Sequence, residues 1–244
     1  MCSSDLWLDG LPQAGFRGMV VANELLDAMP VHRFRVGEAG IREQFVTWTE
    51  GGLTSFWDTP SATLEGAVTR LLHKLEGRRE DYESEINLRA APWLRALAER
   101  FDAGLILLID YGYTASEYYH PQRDRGSLMC HYRHRAHPDP LFLPGLQDIT
   151  AHVDFTALAE AALESGLSVC GHATQAFFLM GCGLDQLLAE SDPDNVRAHL
   201  QLVQGAKRLT LPSEMGERFK VLGLGRGLKQ PIMGFRLQDL RGRL

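Results

Sequence analysis

The sequence predicts an α/β fold with a partly parallel sheet, and two apolar segments indicate it most directly. GMVVANELL is apolar from Gly18 and turns polar at Asn23 and Glu24, as a buried parallel strand does where it ends in a site. GLILLIDYGY, residues 104–113, has the same form and turns polar at Asp110. Predicted helices separate and follow these strands, so we expect the strands to lie side by side with their polar ends in one crevice.

The segments between and after these strands complete one partial domain over residues 1–244. Residues 34–57 alternate in polarity around glycine turns, which predicts a β-hairpin insertion. Apolar residues on one helical face predict helices over 61–75 and 93–101 that cover the sheet. Residues 114–150 show little periodicity, which is typical of a long functional loop.

The C-terminal third predicts a helix, a strand, a helix and a last strand. Asp154 can cap the first helix, and Gly166 can end it. The strand LSVCGHATQ follows, and after a helix near 194–206 the chain closes with the strand FKVLGLGRG. These elements fit the second half of an open α/β sheet.

Composition excludes several classes of protein. The net charge of -6 over 244 residues excludes nonspecific nucleic-acid binding, which needs a basic surface. No segment approaches the roughly 20 apolar residues of a membrane helix, and we expect neither a membrane span nor a signal peptide. The four cysteines form no CxxC pair, which argues against a zinc site or a disulfide framework. We therefore expect a reducing, cytoplasmic setting.

Polar residues at the end of the first strand are the strongest site candidates. Asn23, Glu24 and Asp27 offer one amide and two carboxylates where an apolar strand meets polar chain. Such groups can hold a cation or a guanidinium, or orient a nitrogen nucleophile. The alternative is that Glu24 or Asp27 only caps the following turn.

The end of the second strand supplies the next candidates. Asp110 should support the first cluster, and Tyr111 and Tyr113 should line a substrate channel. The alternative is that Asp110 accepts backbone hydrogen bonds in the strand-to-loop turn while the tyrosines pack.

Other polar residues carry weaker expectations. His152, Asp154 and Gln175 can face the pocket and contact substrate, although helix capping explains Asp154 equally well. The histidines of HYRHRAH lie three residues apart, but neighbouring arginines would repel a cation, so we expect no metal site there. A solvated basic loop that docks an acidic partner surface is the preferred interpretation.

Five segments occur in order: NELLDAMPVHRF, LLIDYGY, GSLMCHYRH, DITAHVDF and ATQAFFLMGCG. Together they resemble the MidA family of methyltransferases, which includes mitochondrial complex I assembly factors. The resemblance extends from Trp7 to Gly227. It implies a Rossmann-like class I methyltransferase fold, with the two apolar strands as its fourth and fifth and the last two strands as an antiparallel pair.

The resemblance also implies a cofactor and a substrate. The cofactor would be S-adenosylmethionine, with Trp7 and Asn23 beside it. The acceptor would be an arginine nitrogen of a protein, for mitochondrial members a respiratory-complex subunit in the matrix. Glu24 and Asp27 would then bind the guanidinium, with Asp110 in support.

One departure from the family is expected to matter. Members carry a glycine-rich turn after the first strand and an acidic residue after the second, and neither occurs in this sequence, which therefore corresponds to the C-terminal portion. We expect a truncated, inactive chain that forms a homodimer through an unpaired first strand. The alternative function is a noncatalytic assembly factor that holds its partner with residues 114–150; a nicotinamide or flavin oxidoreductase has no fingerprint here.

Overall fold

The computed structural model describes residues 8–75, 81–133, 135–192 and 194–244. The chain forms two compact units, each assembled from separated stretches of sequence. Unit 1 contains the chain up to Asn23, Ala91–Ile109 and Leu158–Arg243, and unit 2 contains Glu24–Ala90, Asp110–Ala157 and Leu244. The single domain expected from the sequence stays a prediction.

The strands and helices are numbered here in chain order. The strands are β1 (Phe16–Asn23), β2 (His32–Gly37), β3 (Gly40–Thr49), β4 (Gly52–Asp58), β5 (Tyr82–Ile86), β6 (Phe101–Tyr113), β7 (Met129–Tyr132), β8 (Arg135–His137), β9 (Asp148–Thr150), β10 (Val153–Asp154), β11 (Ser168–Thr174) and β12 (Phe219–Arg226). The α-helices are α1 (Ala62–Lys74), α2 (Ala90–Arg100), α3 (Ala115–Tyr118), α4 (Phe155–Glu164), α5 (Gln175–Gly181), α6 (Leu184–Ala189) and α7 (Val196–Thr210). None of these helices is long and apolar enough to cross a membrane.

The sheet of unit 1 has the strand order β1-β6-β12-β11. β1 and β6 are parallel, and their register runs from Gly18 opposite Gly104 to Asn23 opposite Ile109, which confirms the predicted pairing. β11 and β12 form the predicted antiparallel pair. β1 is the outermost strand of this sheet, where the sequence predicted an unpaired strand, and the side chains of Met19 and Val21 are 60% and 57% exposed.

Apolar side chains and one arginine stabilise unit 1. The core cluster contains Leu105, Leu107, Ala173, Phe178, Val221 and Phe235. The guanidinium of Arg226 donates hydrogen bonds to the carbonyl oxygens of Ala98, Phe101 and Ser165. Carbonyls near helix ends lack intrahelical partners, so Arg226 satisfies them at the ends of α2 and α4.

Unit 2 contains a larger sheet than the hairpin expected over 34–57. β3 and β4 form that hairpin, but β2 and β5 extend it to the antiparallel order β4-β3-β2-β5. α1 packs on this sheet through Leu64 and Val68, which belong to the same buried cluster as Phe34 and Val36. β5 was not predicted because its sequence, YESEI, lacks the alternation of apolar and polar residues that is typical of a strand.

Residues 114–150 are also more ordered than the expected loop. They contain α3 and a three-stranded antiparallel sheet of order β8-β7-β9. These strands have three or four residues each, too few for a hydrophobic period to be recognised.

Helix boundaries agree closely with the sequence signals. The Ser61 hydroxyl accepts a hydrogen bond from the Leu64 N–H at 3.3 Å and caps α1. The Asp154 carboxylate accepts one from the Ala157 N–H at 3.1 Å and caps α4, and Gly166, with a φ of 72°, follows that helix. α2 ends one residue earlier than expected because Phe101 begins β6.

Replacing Gly104 with alanine should disrupt the β1–β6 pairing. Gly104 has a φ of 131°, and a Cβ there would lie 1.8 Å from the carbonyl oxygen of Gly18, so the backbones would have to separate. We expect Gly104→Ala to lower the free energy of unfolding by roughly 3 kcal/mol or more, measured by chemical denaturation.

The matched control is Gly205→Ala, on the exposed surface of α7 with no atom within 4 Å of the new Cβ. There the same change should raise the free energy of unfolding by about 0.5–1 kcal/mol. A neutral effect of Gly104→Ala would contradict the observed strand contact.

Candidate active site

Asp110 lies near the end of β6, and its carboxylate is buried, with 1% of the residue's surface exposed. Its Oδ2 accepts hydrogen bonds from the N–H groups of Leu26 at 3.0 Å and Asp27 at 3.3 Å, and its Oδ1 accepts one from the Tyr111 N–H at 3.0 Å. The carboxylate thus fixes the loop that follows β1. This geometry favours the second of the two sequence interpretations, in which Asp110 accepts backbone hydrogen bonds.

Burial gives Asp110 an unusual pKa. Desolvation, reinforced by the negative charge of Asp27, raises the pKa of Asp110 to about 7, although the three backbone N–H groups act in the opposite direction. The group therefore titrates near neutral pH.

Asp27 is the second buried carboxylate, with 5% of its surface exposed. The Tyr111 hydroxyl donates a hydrogen bond to Asp27 Oδ2. The Ala151 N–H donates one to the backbone carbonyl oxygen of Asp27 at 3.0 Å. Burial and the bond to Asp27 raise the pKa of Tyr111, so its hydroxyl stays protonated and donates. Asp27 Oδ1 is buried and accepts no hydrogen bond from any residue that the structure describes.

Aromatic rings adjoin this pair of carboxylates. The His152 ring contacts the rings of Tyr111 and Tyr113 edge-on, with centroids 5.4 Å and 5.0 Å apart. The guanidinium carbon of Arg123 lies 3.9 Å from the centroid of the Tyr113 ring. We call Tyr111, Tyr113 and His152 the aromatic wall; it brings together three residues that the sequence nominated separately.

Asn23 and Glu24 mark the end of β1, as predicted. Asn23 is the last residue of the strand and is exposed. Glu24 is also exposed, and its φ of 49° is in the left-handed region that residues other than glycine rarely adopt. Left-handed backbone of this kind is concentrated at functional sites.

The remaining predicted site residues have different surroundings. Asp154 caps α4 and pairs with Tyr113 in the register of β10 and β6. Gln175 is a buried residue of unit 1 whose side-chain amide donates to the Leu209 carbonyl oxygen at 3.0 Å. Trp7 lies outside the described residues.

No cluster of three metal-ligating side chains occurs among residues 8–75, 81–133, 135–192 and 194–244. His131 and His137 lie on β7 and β8, and His134 is not among the described residues.

Two residues that sequence reasoning passed over hold parts of this region. The Ser127 hydroxyl accepts a hydrogen bond from the backbone N–H of His152 at 3.0 Å. The Asn87 amide donates to the Leu26 carbonyl oxygen at 3.4 Å. Ser127 lies within the GSLMCHYRH motif, which was the only signal that could have drawn attention to it.

The raised pKa of Asp110 predicts a pH-dependent stability. Because the pKa rises from 3.8 in the unfolded chain to about 7 in the folded chain, its contribution is fully present below pH 3.8 and is lost as the pH rises through 7. Relative to Asp110→Asn, the wild type should lose about 4 kcal/mol of unfolding free energy between pH 4 and pH 8.

Denaturation curves at several pH values measure this difference. Asp102→Asn, on the exposed start of the same strand, is the control for loss of a carboxylate and should change stability by about 0.5 kcal/mol or less at pH 7. A difference between wild type and Asp110→Asn that stays constant with pH would contradict the assigned pKa.

Comparisons with known proteins agree with the fold. Residues 3–173 match a family model described as "Putative S-adenosyl-L-methionine-dependent methyltransferase". A Burkholderia thailandensis protein of the COG1565 superfamily, crystallised bound to S-adenosyl-homocysteine, is 40% identical with a TM-score of 0.90. That match covers 98% of this chain and 61% of the crystallised one.

Curated relatives are similar as well. The Drosophila melanogaster "Protein arginine methyltransferase NDUFAF7 homolog, mitochondrial" is 30% identical over 243 residues, which is 93% of this chain and 52% of the relative. The Danio rerio "Protein arginine methyltransferase NDUFAF7, mitochondrial" is 34% identical over 207 residues, covering 82% and 45%. The chain spans about half the length of these relatives.

The expected Rossmann-like methyltransferase fold is confirmed by the solved structures, and the expected MidA-like membership by the family match. The chain belongs to this family of S-adenosyl-L-methionine-dependent methyltransferases.

Proposed function

We propose that the full-length protein containing this chain transfers a methyl group from S-adenosylmethionine to an arginine nitrogen of a protein. The observation that carries the proposal is the state of Asp27, whose Oδ2 is engaged by Tyr111 and whose buried Oδ1 is not bonded by any described residue. A buried acceptor without a partner costs about 1–3 kcal/mol. The N–H groups of a guanidinium would satisfy it with a charge-assisted hydrogen bond.

The aromatic wall supports a flat cationic acceptor. Arg123 already places a guanidinium against Tyr113, which is favourable because the face of an aromatic ring attracts cations. A substrate guanidinium beside the wall would gain the same attraction while it bonds to Asp27. The names of the similar mitochondrial arginine methyltransferases point to the same acceptor.

The end of β1 fits one side of the cofactor. Asn23 presents an exposed amide there, and the left-handed backbone at Glu24 turns the chain away from the strand. When bound, S-adenosylmethionine would supply an electrophilic methyl group.

The chain's own residues would position the acceptor and take its proton. The attacking nitrogen loses one proton in the reaction, and Asp27 Oδ1 is the atom placed to receive it. Tyr111 keeps Asp27 in position by donating to Oδ2, and the backbone hydrogen bonds of Asp110 hold the loop. Glu24 would contact the guanidinium from the solvent side.

Further parts of the proposal concern setting and assembly. The exposed outermost strand β1 supports the expected homodimer of the isolated chain. The reaction would occur in the bacterial cytoplasm or, in a eukaryote, in the mitochondrial matrix, where a respiratory-complex subunit is the proposed substrate.

Replacing Asp27 with asparagine should abolish most methyl transfer. The full-length protein would be incubated with tritiated S-adenosylmethionine and with total protein from cells that lack this methyltransferase. The labelled residues would then be identified by mass spectrometry. Asp27→Asn removes the charge and the proton acceptor, so incorporation into arginine should fall about 100-fold or more.

Asp102→Asn controls for loss of a negative charge and should retain full incorporation. Unchanged activity of Asp27→Asn would overturn the assignment of Asp27. Cofactor binding without arginine labelling would point to another acceptor, and absence of both would favour the noncatalytic assembly factor.

Glu24→Gln tests the second carboxylate separately. The substitution preserves size and the capacity to accept a hydrogen bond but removes the charge, so the KM for an arginine substrate should rise about tenfold. Steady-state kinetics on the labelled substrate measure it. If Glu24→Gln leaves both the KM and the rate of methyl transfer unchanged, Glu24 has no part in acceptor binding.

A further inference from the structure

A fully buried glutamate forms a second polar cluster in unit 2. Glu85, on β5, has 0% of its surface exposed. Its Oε1 accepts hydrogen bonds from the Tyr118 hydroxyl at 2.7 Å, the Ser127 N–H at 2.7 Å and the Ser127 hydroxyl at 2.5 Å. Burial of a carboxylate is costly, and three donors on one oxygen offset only part of that cost.

This glutamate lacks the partners of an ordinary structural ion pair. No arginine, lysine or histidine of the described sequence forms a salt bridge with Glu85. Its Oε2 is buried and accepts no hydrogen bond within the ranges that the structure covers. A hydrophobic residue at this position would leave the Tyr118 hydroxyl and both Ser127 donors without their acceptor, so Glu85 fixes the place of both residues.

Ser127 links Glu85 to the aromatic wall. A serine hydroxyl has one hydrogen, which Ser127 donates to Glu85, so its oxygen is an acceptor for the backbone N–H of His152. The two hydrogen bonds are therefore donated in the same direction: the His152 N–H donates to Ser127, and the Ser127 hydroxyl donates to Glu85. The ring of His152 then contacts Tyr111, and Tyr111 donates to Asp27.

We propose that Glu85 and Ser127 are positioning residues of the methyl-transfer site, which set the place of His152 and thereby the orientation of Tyr111 beside Asp27. The inference rests on the proposed function. Glu85 fixes the Ser127 hydroxyl, and that hydroxyl fixes the backbone at the start of β10. A displaced His152 would no longer confine the Tyr111 ring, and the Tyr111 hydroxyl would no longer hold Asp27 in place.

Ser127→Ala tests the link with two readouts on the full-length protein. The first is the NMR spectrum of the His152 ring without substrate, whose signals report the ring currents of Tyr111 and Tyr113. The second is arginine labelling of total cell protein from tritiated S-adenosylmethionine. We expect Ser127→Ala to shift the ring signals and to lower labelling about tenfold, because small displacements of positioning groups are costly.

Ser127→Thr retains the hydroxyl and should restore both readouts to nearly wild-type values. Ser84→Ala is the matched control, since Ser84 is a buried serine of β5 whose hydroxyl has no hydrogen-bond partner among the described residues. It should leave the His152 signals and the labelling unchanged. If Ser127→Ala does not fold, Ser127→Cys replaces it, because a thiol keeps the volume but hydrogen-bonds weakly.

The outcomes separate this inference from the proposed function. If the wild type labels no arginine but Ser127→Ala still shifts the His152 signals, the proposed function is overturned and the link from Glu85 to His152 is supported. Arginine labelling that survives Ser127→Ala undiminished, with unmoved His152 signals, would overturn the positioning inference alone. Equal effects of Ser127→Ala and Ser84→Ala would also overturn it.

Discussion

Three backbone N–H groups directed at one buried carboxylate hold the candidate site together. Those of Leu26, Asp27 and Tyr111 all donate to Asp110, so the end of β6 fixes the loop that follows β1. Hydrogen bonds to a charged group contribute about 1.5–3 kcal/mol each, but burial of that charge costs several. The pKa of Asp110, raised to about 7, shows that burial outweighs the three hydrogen bonds.

In the proposed function, Asp27 is the reactive carboxylate of the pair. Both oxygens of Asp110 accept hydrogen bonds from backbone N–H groups, whereas Asp27 has one oxygen bonded to Tyr111 and one buried oxygen with no donor among the described residues. Two carboxylates with different environments commonly divide positioning and proton transfer between them. The family match supplies the reaction class to which this division would apply.

The sequence predicted the parts of the fold that follow from continuous apolar runs. β1, β6 and the pair β11 and β12 were predicted because their segments are continuously apolar, and the candidate site was predicted because parallel strands end at one edge. Asp27 and Asp110 were nominated correctly as neighbours, but their different roles depend on hydrogen-bond directions that spacing does not encode.

Structure that depends on buried polar groups was not predictable in the same way. β5 carries buried Ser84 and Glu85, which in a sequence indicate a surface. The hydrogen bond between Ser127 and Glu85 joins residues 42 positions apart, and no local sequence pattern predicts it. Gln175 was placed in the pocket because it is polar, whereas its amide bonds to the Leu209 carbonyl oxygen within unit 1.

A crystal structure of the full-length protein with S-adenosyl-homocysteine and an arginine-containing substrate peptide tests the central claim most directly. The account predicts a guanidinium nitrogen within about 3 Å of Asp27 Oδ1, with the Tyr111 hydroxyl still bonded to Oδ2. A substrate nitrogen facing the cofactor with Asp27 Oδ1 satisfied by another protein group would contradict it.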